Sequence, residues 1–173
     1  MLNSYKIFLI VAAALMCSGL FAQTVKSWSC YGDADNGGSS TAEVKVDNGV
    51  TNFSGVVTTK YQYGYAGLVM DDDPEFISAL KKAKGVKITV KGDGKKYNLR
   101  IETNDRPDYC FHQYQFTAGA KTTITVPFEK LAQESWGKQK PFVKNNITSV
   151  SFQTVGQPIA SYSLDVISVE ILK

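Results

Sequence analysis

The feature that most constrains the fold is a succession of short runs in which apolar and polar residues alternate. Strict alternation places every second side chain on one face of a β-strand, so each run can bury one face and leave the other in water. Gly, Asn and Asp separate the runs, and Asn48-Gly49 between two of them is a strong hairpin signal. Many short strands at this spacing predict an all-β sandwich or a closed barrel. The predicted strands cover residues 42–46, 50–59, 86–91, 97–103, 109–116, 122–126, 147–154 and 162–172.

One short helix is predicted to interrupt the strands. Asp73 suits the N-cap, and Pro74 suits the first helical position because it needs no amide hydrogen there. Gly85 is placed to end the helix as a C-cap glycine. The apolar stripe of this helix, at helical spacing, is formed by Phe76, Ile77, Leu80 and Ala83.

The N-terminal segment has the pattern of a secretory signal peptide. Lys6 supplies a positive charge, and residues 7–16 form an apolar stretch that is too short to span a bilayer. Ala22 is a small residue suited to the position before cleavage. We therefore expect residues 1–22 to be removed and the protein to be exported to the periplasm, the cell surface or the extracellular space.

Lipidation is the alternative fate of the N-terminal segment. It would use Cys17, although Met16 before it is larger than the small residue usual at that position. Under either alternative, residues 23–173 are predicted to form one domain with no membrane span.

Two cysteines remain after the signal segment, Cys30 and Cys110. An exported protein folds where disulfides persist, so one intramolecular bridge is one expectation. Two buried free thiols, which behave as small apolar residues, are the other.

Composition and motifs argue against catalysis and against nucleic-acid binding. The net charge is only +3, and the lysines are scattered rather than gathered in one basic patch. His112 is the only histidine, which leaves no material for a His cluster or an evident catalytic triad. Its position inside an aromatic strand favours a structural role. The chain carries no phosphate-binding glycine motif, so we expect a protein that is not an enzyme and needs no cofactor.

Strand alternation predicts a polar face that suits a ligand. If Leu99, Val150 and Tyr114 point into the core, their neighbours along each strand point outward. Planar amides and charged groups pair well with sugar hydroxyls, and aromatic rings pack against the C–H face of a sugar. A solvated sheet face without any ligand is the alternative. The candidate ligand-binding residues are Arg100, Glu102, Gln113, Gln115, Gln153, Tyr109, Phe111 and Trp136, with Tyr61, Tyr63 and Tyr65 as rim or core aromatics.

From Trp28 to Leu172 the chain resembles the complex I intermediate-associated protein 30 family and, more distantly, the family 11 carbohydrate-binding modules. The resemblance implies a galactose-binding-like jelly roll. One departure from the family pattern is Asn36, where Met is usual before Gly37. The segments that carry the resemblance, in family order, are DADNGGSS (33–40), FSG (53–55), YGYAGL (63–68), GVKITVKGDGKKYNLRIET (85–103), ITVPFEKL (124–131), WGK (136–138) and YSLDVISVEIL (162–172).

The resemblance implies two alternative functions. The carbohydrate-binding modules bind polysaccharide on a concave sheet face, which makes a glycan the first expected partner. The mitochondrial family members act in respiratory-complex assembly, which makes an envelope protein the alternative partner, although this chain carries an export signal. Jelly rolls of this class also hold a structural calcium, for which Asp165 is the family-matched candidate, with Asp33 as a second carboxylate.

Overall fold

The computed structural model describes residues 27–70, 72–106 and 109–173. Within these ranges ten strands and one α-helix form a sandwich of two antiparallel sheets. The predicted signal segment, with Cys17, lies outside the described residues. The elements are β1 (Ser29–Gly32), β2 (Thr41–Asp47), β3 (Val50–Val57), β4 (Ala66–Met70), α1 (Pro74–Lys82), β5 (Gly85–Gly92), β6 (Lys95–Thr103), β7 (His112–Ala118), β8 (Thr122–Pro127), β9 (Ile147–Thr154) and β10 (Ile159–Leu172).

Each sheet has five strands. The first sheet has the order β1-β4-β9-β6-β7, and the second has the order β2-β3-β10-β5-β8. The all-β sandwich with one short helix is therefore confirmed. No helix in the described ranges is both long enough and apolar enough to cross a bilayer.

The hairpin predicted at Asn48-Gly49 joins β2 to β3. Both residues have positive φ, 48° at Asn48 and 78° at Gly49, as a type I′ turn requires. The register of β2 and β3 pairs Asp47 with Val50 across the turn. This register fixes which residues of both strands face the core.

The core lies between the two sheets. Leu99 on β6 and Phe152 on β9 point inward from the first sheet, and Phe53 and Leu164 point inward from the second. All four side chains are fully buried, and burial of each contributes about 1.5–3 kcal/mol to folding.

Helix α1 closes one part of the sandwich and packs against β9. Asp73 is its N-cap, and its side chain accepts a hydrogen bond of 2.9 Å from the backbone N–H of Phe76. The prediction for Gly85 was wrong. The C-cap is Ala83, and Gly85 begins β5, where a Cβ atom would lie 2.4 Å from the carbonyl oxygen of Val126. Close packing of strands, rather than helix capping, requires glycine there.

Strands β1 and β4 were not among the predicted strands. β1 has only four residues, and β4 is an almost continuous apolar run with no alternation to read. The predicted aromatic strand also starts later than expected, since β7 begins at His112 and Tyr109 lies in the preceding loop with φ of 58°.

The disulfide alternative is wrong, because Cys30 and Cys110 are both free thiols. Cys30 lies on β1, and Cys110 lies immediately before β7, at the opposite edge of the first sheet. At the usual strand spacing these edges are about 19 Å apart, far beyond the reach of a disulfide. The Sγ of Cys30 instead lies 3.3 Å from the carbonyl oxygen of Ala42, as a weak donor.

Candidate functional site

The outer face of the first sheet gathers the polar residues that alternation predicted. Asn98, Arg100 and Glu102 lie on β6, where they alternate with the fully buried core residues Leu99 and Ile101. Strands β7 and β9 flank β6 on its two sides. The three polar strands are thus neighbours in one sheet, which strand alternation alone could not predict.

Cross-strand register arranges these side chains in rows. Arg100 lies opposite Gln113 of β7 and Ser151 of β9. Aligned rows of this kind give an extended face with repeated donors and acceptors. The next row contains, from β7 across to β1, Gln115, Asn98, Gln153, Gly67 and Tyr31.

Arg100 lies at the centre of this face, yet its side chain is closed off from solvent. The residue is only 8% exposed. Its Nε donates a hydrogen bond of 3.0 Å to Oε1 of Gln113, and its Nη1 donates to Oε1 of Gln153. The ring of Phe111 covers the guanidinium, with 3.8 Å between Cζ and the ring centroid. Phe111 therefore shields one side of the Arg100 guanidinium from solvent.

Two carboxylates lie close to this buried cation. Burial lowers the pKa of Arg100, while the nearby Tyr31, Glu102 and Glu134 act in the opposite direction. Glu102 accepts a hydrogen bond of 2.7 Å from Oγ of Ser151. Glu134, in the segment after β8, accepts from Nε2 of Gln113. Glu134 is therefore linked to Arg100 through Gln113, whereas Glu102 is bonded to Ser151, which lies opposite Arg100.

Aromatic side chains border the face on the β7 side. Phe111 is stacked between two guanidinium groups, since Cζ of Arg106 lies 4.2 Å from its ring centroid on the loop side. Tyr109 and Trp136 are 68% and 53% exposed, which makes them the open rings of this border. The predicted site residues Tyr109, Phe111 and Trp136 thus divide into one covered ring and two exposed rings.

A cluster of four tyrosines borders the face on the β1 side. Tyr31 and Tyr65 meet edge to face with 6.1 Å between ring centroids. Tyr61 lies 6.4 Å from Tyr65 and 5.8 Å from Tyr63 by the same measure. The sequence identified three of these rings as rim or core aromatics but missed Tyr31, because the short strand β1 went unrecognised.

The Tyr31 ring lies over the backbone of Gly67 on the neighbouring strand. A Cβ atom at position 67 would be only 2.1 Å from Cζ of Tyr31, so the ring occupies the space that any other side chain would fill. This glycine in the interior of a strand is the sequence signal that a close contact had to be accommodated on β4.

Hydrogen bonds hold the loops that carry the tyrosine cluster. Nδ2 of Asn36 donates a bond of 2.8 Å to the hydroxyl of Tyr65. The side chain of Gln157 accepts from the backbone N–H of Gly64 and donates to the carbonyl oxygen of Gln62. The 61–65 turn is therefore fastened to the loop between β9 and β10.

The two calcium candidates do not form one site. Asp33 is fully buried, and its carboxylate accepts hydrogen bonds from the backbone N–H and the hydroxyl of Ser40 and from the backbone N–H of Tyr65. Asp165 lies on β10 of the second sheet, where it accepts a bond of 2.7 Å from Asn52. Among the described residues there is no group of three or more His, Cys, Asp or Glu side chains that could hold a metal. These carboxylates therefore do not fit a shared calcium cage, which needs about six to eight oxygen ligands.

His112 lies on the core side of β7. Its Nε2 is 3.0 Å from the carbonyl oxygen of Lys140, and its ring meets Phe142 edge to face at 5.1 Å. The residue is only 6% exposed, so its contacts are those of a packing residue that fastens the segment after β8.

A depression of about 510 Å³ lies where the turn before β6 meets the loop before β10. Lys95, Lys96, Val155 and Pro158 are among the residues that line it, and none of its lining residues is aromatic. The depression lacks the flat rings on which a sugar could stack. The tyrosine-bordered face has such rings and is the better candidate site.

The two-sheet sandwich is similar to the jelly rolls of family 11 carbohydrate-binding modules. A family 11 carbohydrate-binding module from Clostridium thermocellum, solved in complex with a β-1,3-1,4-mixed-linked tetrasaccharide, superposes with a TM-score of 0.56 at 18% identity, covering 90% of this chain and 91% of that one. The family 11 module of the cellulosomal cellulase Lic26A-Cel5E from Clostridium thermocellum gives a TM-score of 0.57 at 19% identity, covering 86% and 88%. At this level of identity the likeness is one of fold.

The chain belongs to the complex I intermediate-associated protein 30 family, whose model matches residues 20–166. It is also 30% identical over 147 residues to Endoglucanase 3 of Fibrobacter succinogenes. That alignment covers 75% of this chain and 22% of the endoglucanase, so the chain corresponds to one part of that longer protein.

Proposed function

We propose that this chain is an exported, non-catalytic carbohydrate-binding module that holds a β-glucan across the outer face of the first sheet. The observation that carries the proposal is the pairing of a row of amides with aromatic rings at both borders of one face. Amides offer donors and acceptors to sugar hydroxyls, and exposed rings offer flat surfaces to sugar C–H groups. At the usual strand spacing the five strands span about 19 Å, long enough for several sugar residues.

The choice of β-glucan as the first ligand rests on two likenesses. The family 11 module that shares this fold was solved with a mixed-linked β-glucan tetrasaccharide. The part of Endoglucanase 3 that aligns with this chain belongs to an enzyme named for cleaving such polymers internally. The proposal includes export, which rests on the pattern of residues 1–22 and places the module where polysaccharides occur.

Tyr31→Ala is expected to weaken binding to mixed-linkage β-glucan by about twofold to tenfold, because loss of one stacked ring removes about 0.5–1.5 kcal/mol. Affinity gel electrophoresis of the purified protein, with and without the polysaccharide, measures this change. Val46→Ala is the matched control, since Val46 is an exposed apolar residue, 66% exposed, on the second sheet. Equal retardation of Tyr31→Ala and the unaltered protein would contradict the location of the site.

Gly67→Ala should weaken the same binding to a similar extent by a different route. The added methyl would displace the Tyr31 ring from the face, since a Cβ there would lie 2.1 Å from Cζ of Tyr31. Gly119→Ala is its control, because a Cβ at position 119 meets nothing within 4 Å. If Gly67→Ala binds like the unaltered protein, the position of Tyr31 is not important for recognition.

Family membership favours a second function, attachment to a protein complex. Exposed aromatic side chains serve protein interfaces as well as sugars, and Tyr63, Tyr109 and Trp136 are all more than half exposed. Failure to bind soluble β-glucans, xylans and mannans would contradict the glycan proposal. Isolation of a defined envelope complex with this chain would then support the second function.

A further inference from the structure

Arg100, at the centre of the polar face, is buried, and the proposed function does not explain why. A cation in a ligand-binding face is ordinarily open to solvent, but Arg100 is 8% exposed and lies beneath Phe111. Side-chain groups of the protein already occupy its donors at Nε and Nη1. Its role must therefore be sought in what it does to its neighbours.

Arginine dictates how the two neighbouring amides are turned. A guanidinium carries N–H donors and no acceptor, so only an amide oxygen can lie against it. Gln113 and Gln153 must both present Oε1 to Arg100, as the structure has them. The orientation of each amide is thus fixed by chemistry.

The opposite end of Gln113 agrees with this assignment. With its oxygen on Arg100, its NH₂ group points the other way and donates to the carboxylate of Glu134, which can only accept. Each hydrogen bond in the series from Arg100 through Gln113 to Glu134 therefore joins a donor to an acceptor.

The consequence for Gln153 differs, because its amide lies on the ligand side of the network. Its oxygen is held by Arg100, so its NH₂ group is directed away from the guanidinium. Gln153 lies in the row with Asn98, between that residue and Gly67, over which the Tyr31 ring lies. Its side chain is half-buried and therefore reachable from solvent.

We propose that Arg100 is a positioning residue that does not contact the glycan and that orients Gln153 so that its N–H donors meet oxygen acceptors of the bound sugar. This inference rests on the proposed function for its ligand and goes beyond it by setting the hydrogen-bond polarity of the site. The ligand accepts at Gln153, as hydroxyl, ring or glycosidic oxygens can.

Phe111 and Arg106 support this role by keeping water away from Arg100. Hydrogen bonds are stronger in a medium of low dielectric constant, and a guanidinium that water cannot reach holds its acceptors more firmly. The stacked ring of Phe111, with Arg106 on its outer side, provides this cover. Phe111 thus acts on the glycan through Arg100 rather than by direct stacking.

Gln153→Glu separates the donor role from the structural role. The carboxylate keeps two oxygens for Arg100 and makes a charge-assisted bond with it, so the fold is retained. It has no N–H to donate, so affinity for mixed-linkage β-glucan should fall at least about tenfold, as expected when a polar ligand atom loses its partner. Thr125→Glu is the control, since it places the same charge on an exposed position of β8 in the second sheet and should bind as the unaltered protein does. Unchanged affinity of Gln153→Glu would overturn the inference.

Arg100→Met tests the positioning directly. Methionine can lie beneath Phe111 but donates no hydrogen bond, so both glutamine amides lose their fixed orientation. In the unliganded protein, the side-chain ¹⁵N–¹H resonances of Gln113 and Gln153 should shift, while the backbone amide resonances of β3 and β10 in the second sheet stay in place. Affinity should fall at least about tenfold. Unmoved glutamine resonances would overturn the inference even if no polysaccharide bound, whereas absence of binding by the unaltered protein would contradict only the proposed function.

Discussion

Phe152→Ala is expected to lower the free energy of unfolding by about 4 kcal/mol, within the usual range for removing a large buried ring. Phe152 is fully buried on β9, the central strand of the first sheet. Its ring packs against Trp28 at 5.8 Å and against Phe116 at 6.2 Å between centroids. Alanine would leave a cavity that neighbours on two sheets cannot fill. Urea denaturation followed by tryptophan fluorescence measures the change.

Tyr63→Ala is the matched control for this measurement. Tyr63 is also aromatic but is 67% exposed in a loop, so its removal should change the free energy of unfolding by only about 0.5 kcal/mol. A loss below about 1.5 kcal/mol for Phe152→Ala would mean that the core between the sheets collapses around the cavity.

The strands that the sequence predicted are those in which one face is polar. On β6 and β9 the outer face holds Arg100, Ser151 and Gln153, so polar residues alternate with core residues and the period is visible. Strand β4 has no such period, because Ala66 through Met70 are almost all buried. The order of strands in each sheet could not be predicted either, because alternation identifies strands but not their neighbours.

The sequence predicted which side chains point outward at the candidate site, but it did not predict that Phe111 covers Arg100. Periodicity placed Arg100, Gln113 and Gln153 on the outward faces of their strands, and the structure brings them into hydrogen-bond contact. Nothing in the period indicated that the loop before β7 would bring Phe111 back over Arg100. A contact between a loop and a strand depends on the loop's path, which is set by long-range packing rather than by local pattern.

The same limit explains why the sequence left both the disulfide and the free thiols open for the two cysteines. Cys30 and Cys110 are both shielded from solvent to some degree, as small apolar residues often are, so their local surroundings gave no sign of separation. Their distance follows from the sheet order, which places β1 and β7 at opposite edges.

Asp33→Asn is expected to lower the free energy of unfolding by about 3 kcal/mol near neutral pH, because a charged acceptor with several hydrogen bonds is replaced by a group that must turn one donor toward other donors. Burial alone would raise the pKa of Asp33, but hydrogen bonds from Ser40 and from the backbone of Tyr65 outweigh it and leave the pKa lowered. The loop between β1 and β2 and the tyrosine turn both depend on this carboxylate. Asp35→Asn, an exposed neighbour, should change stability little.

The lowered pKa of Asp33 gives the effect a definite pH dependence. A carboxyl group whose pKa is lower in the folded state contributes stability that is fully present above its unfolded pKa, about 3.9, and is lost as the pH falls through the folded value. Urea denaturation of both proteins should therefore give a difference that is constant from neutral pH down to about 4 and narrows below it. The subtraction isolates Asp33, since the other carboxyl groups titrate in both proteins. A difference that stayed constant at the lowest pH values would show that Asp33 stabilises the loop by its shape rather than by its charge.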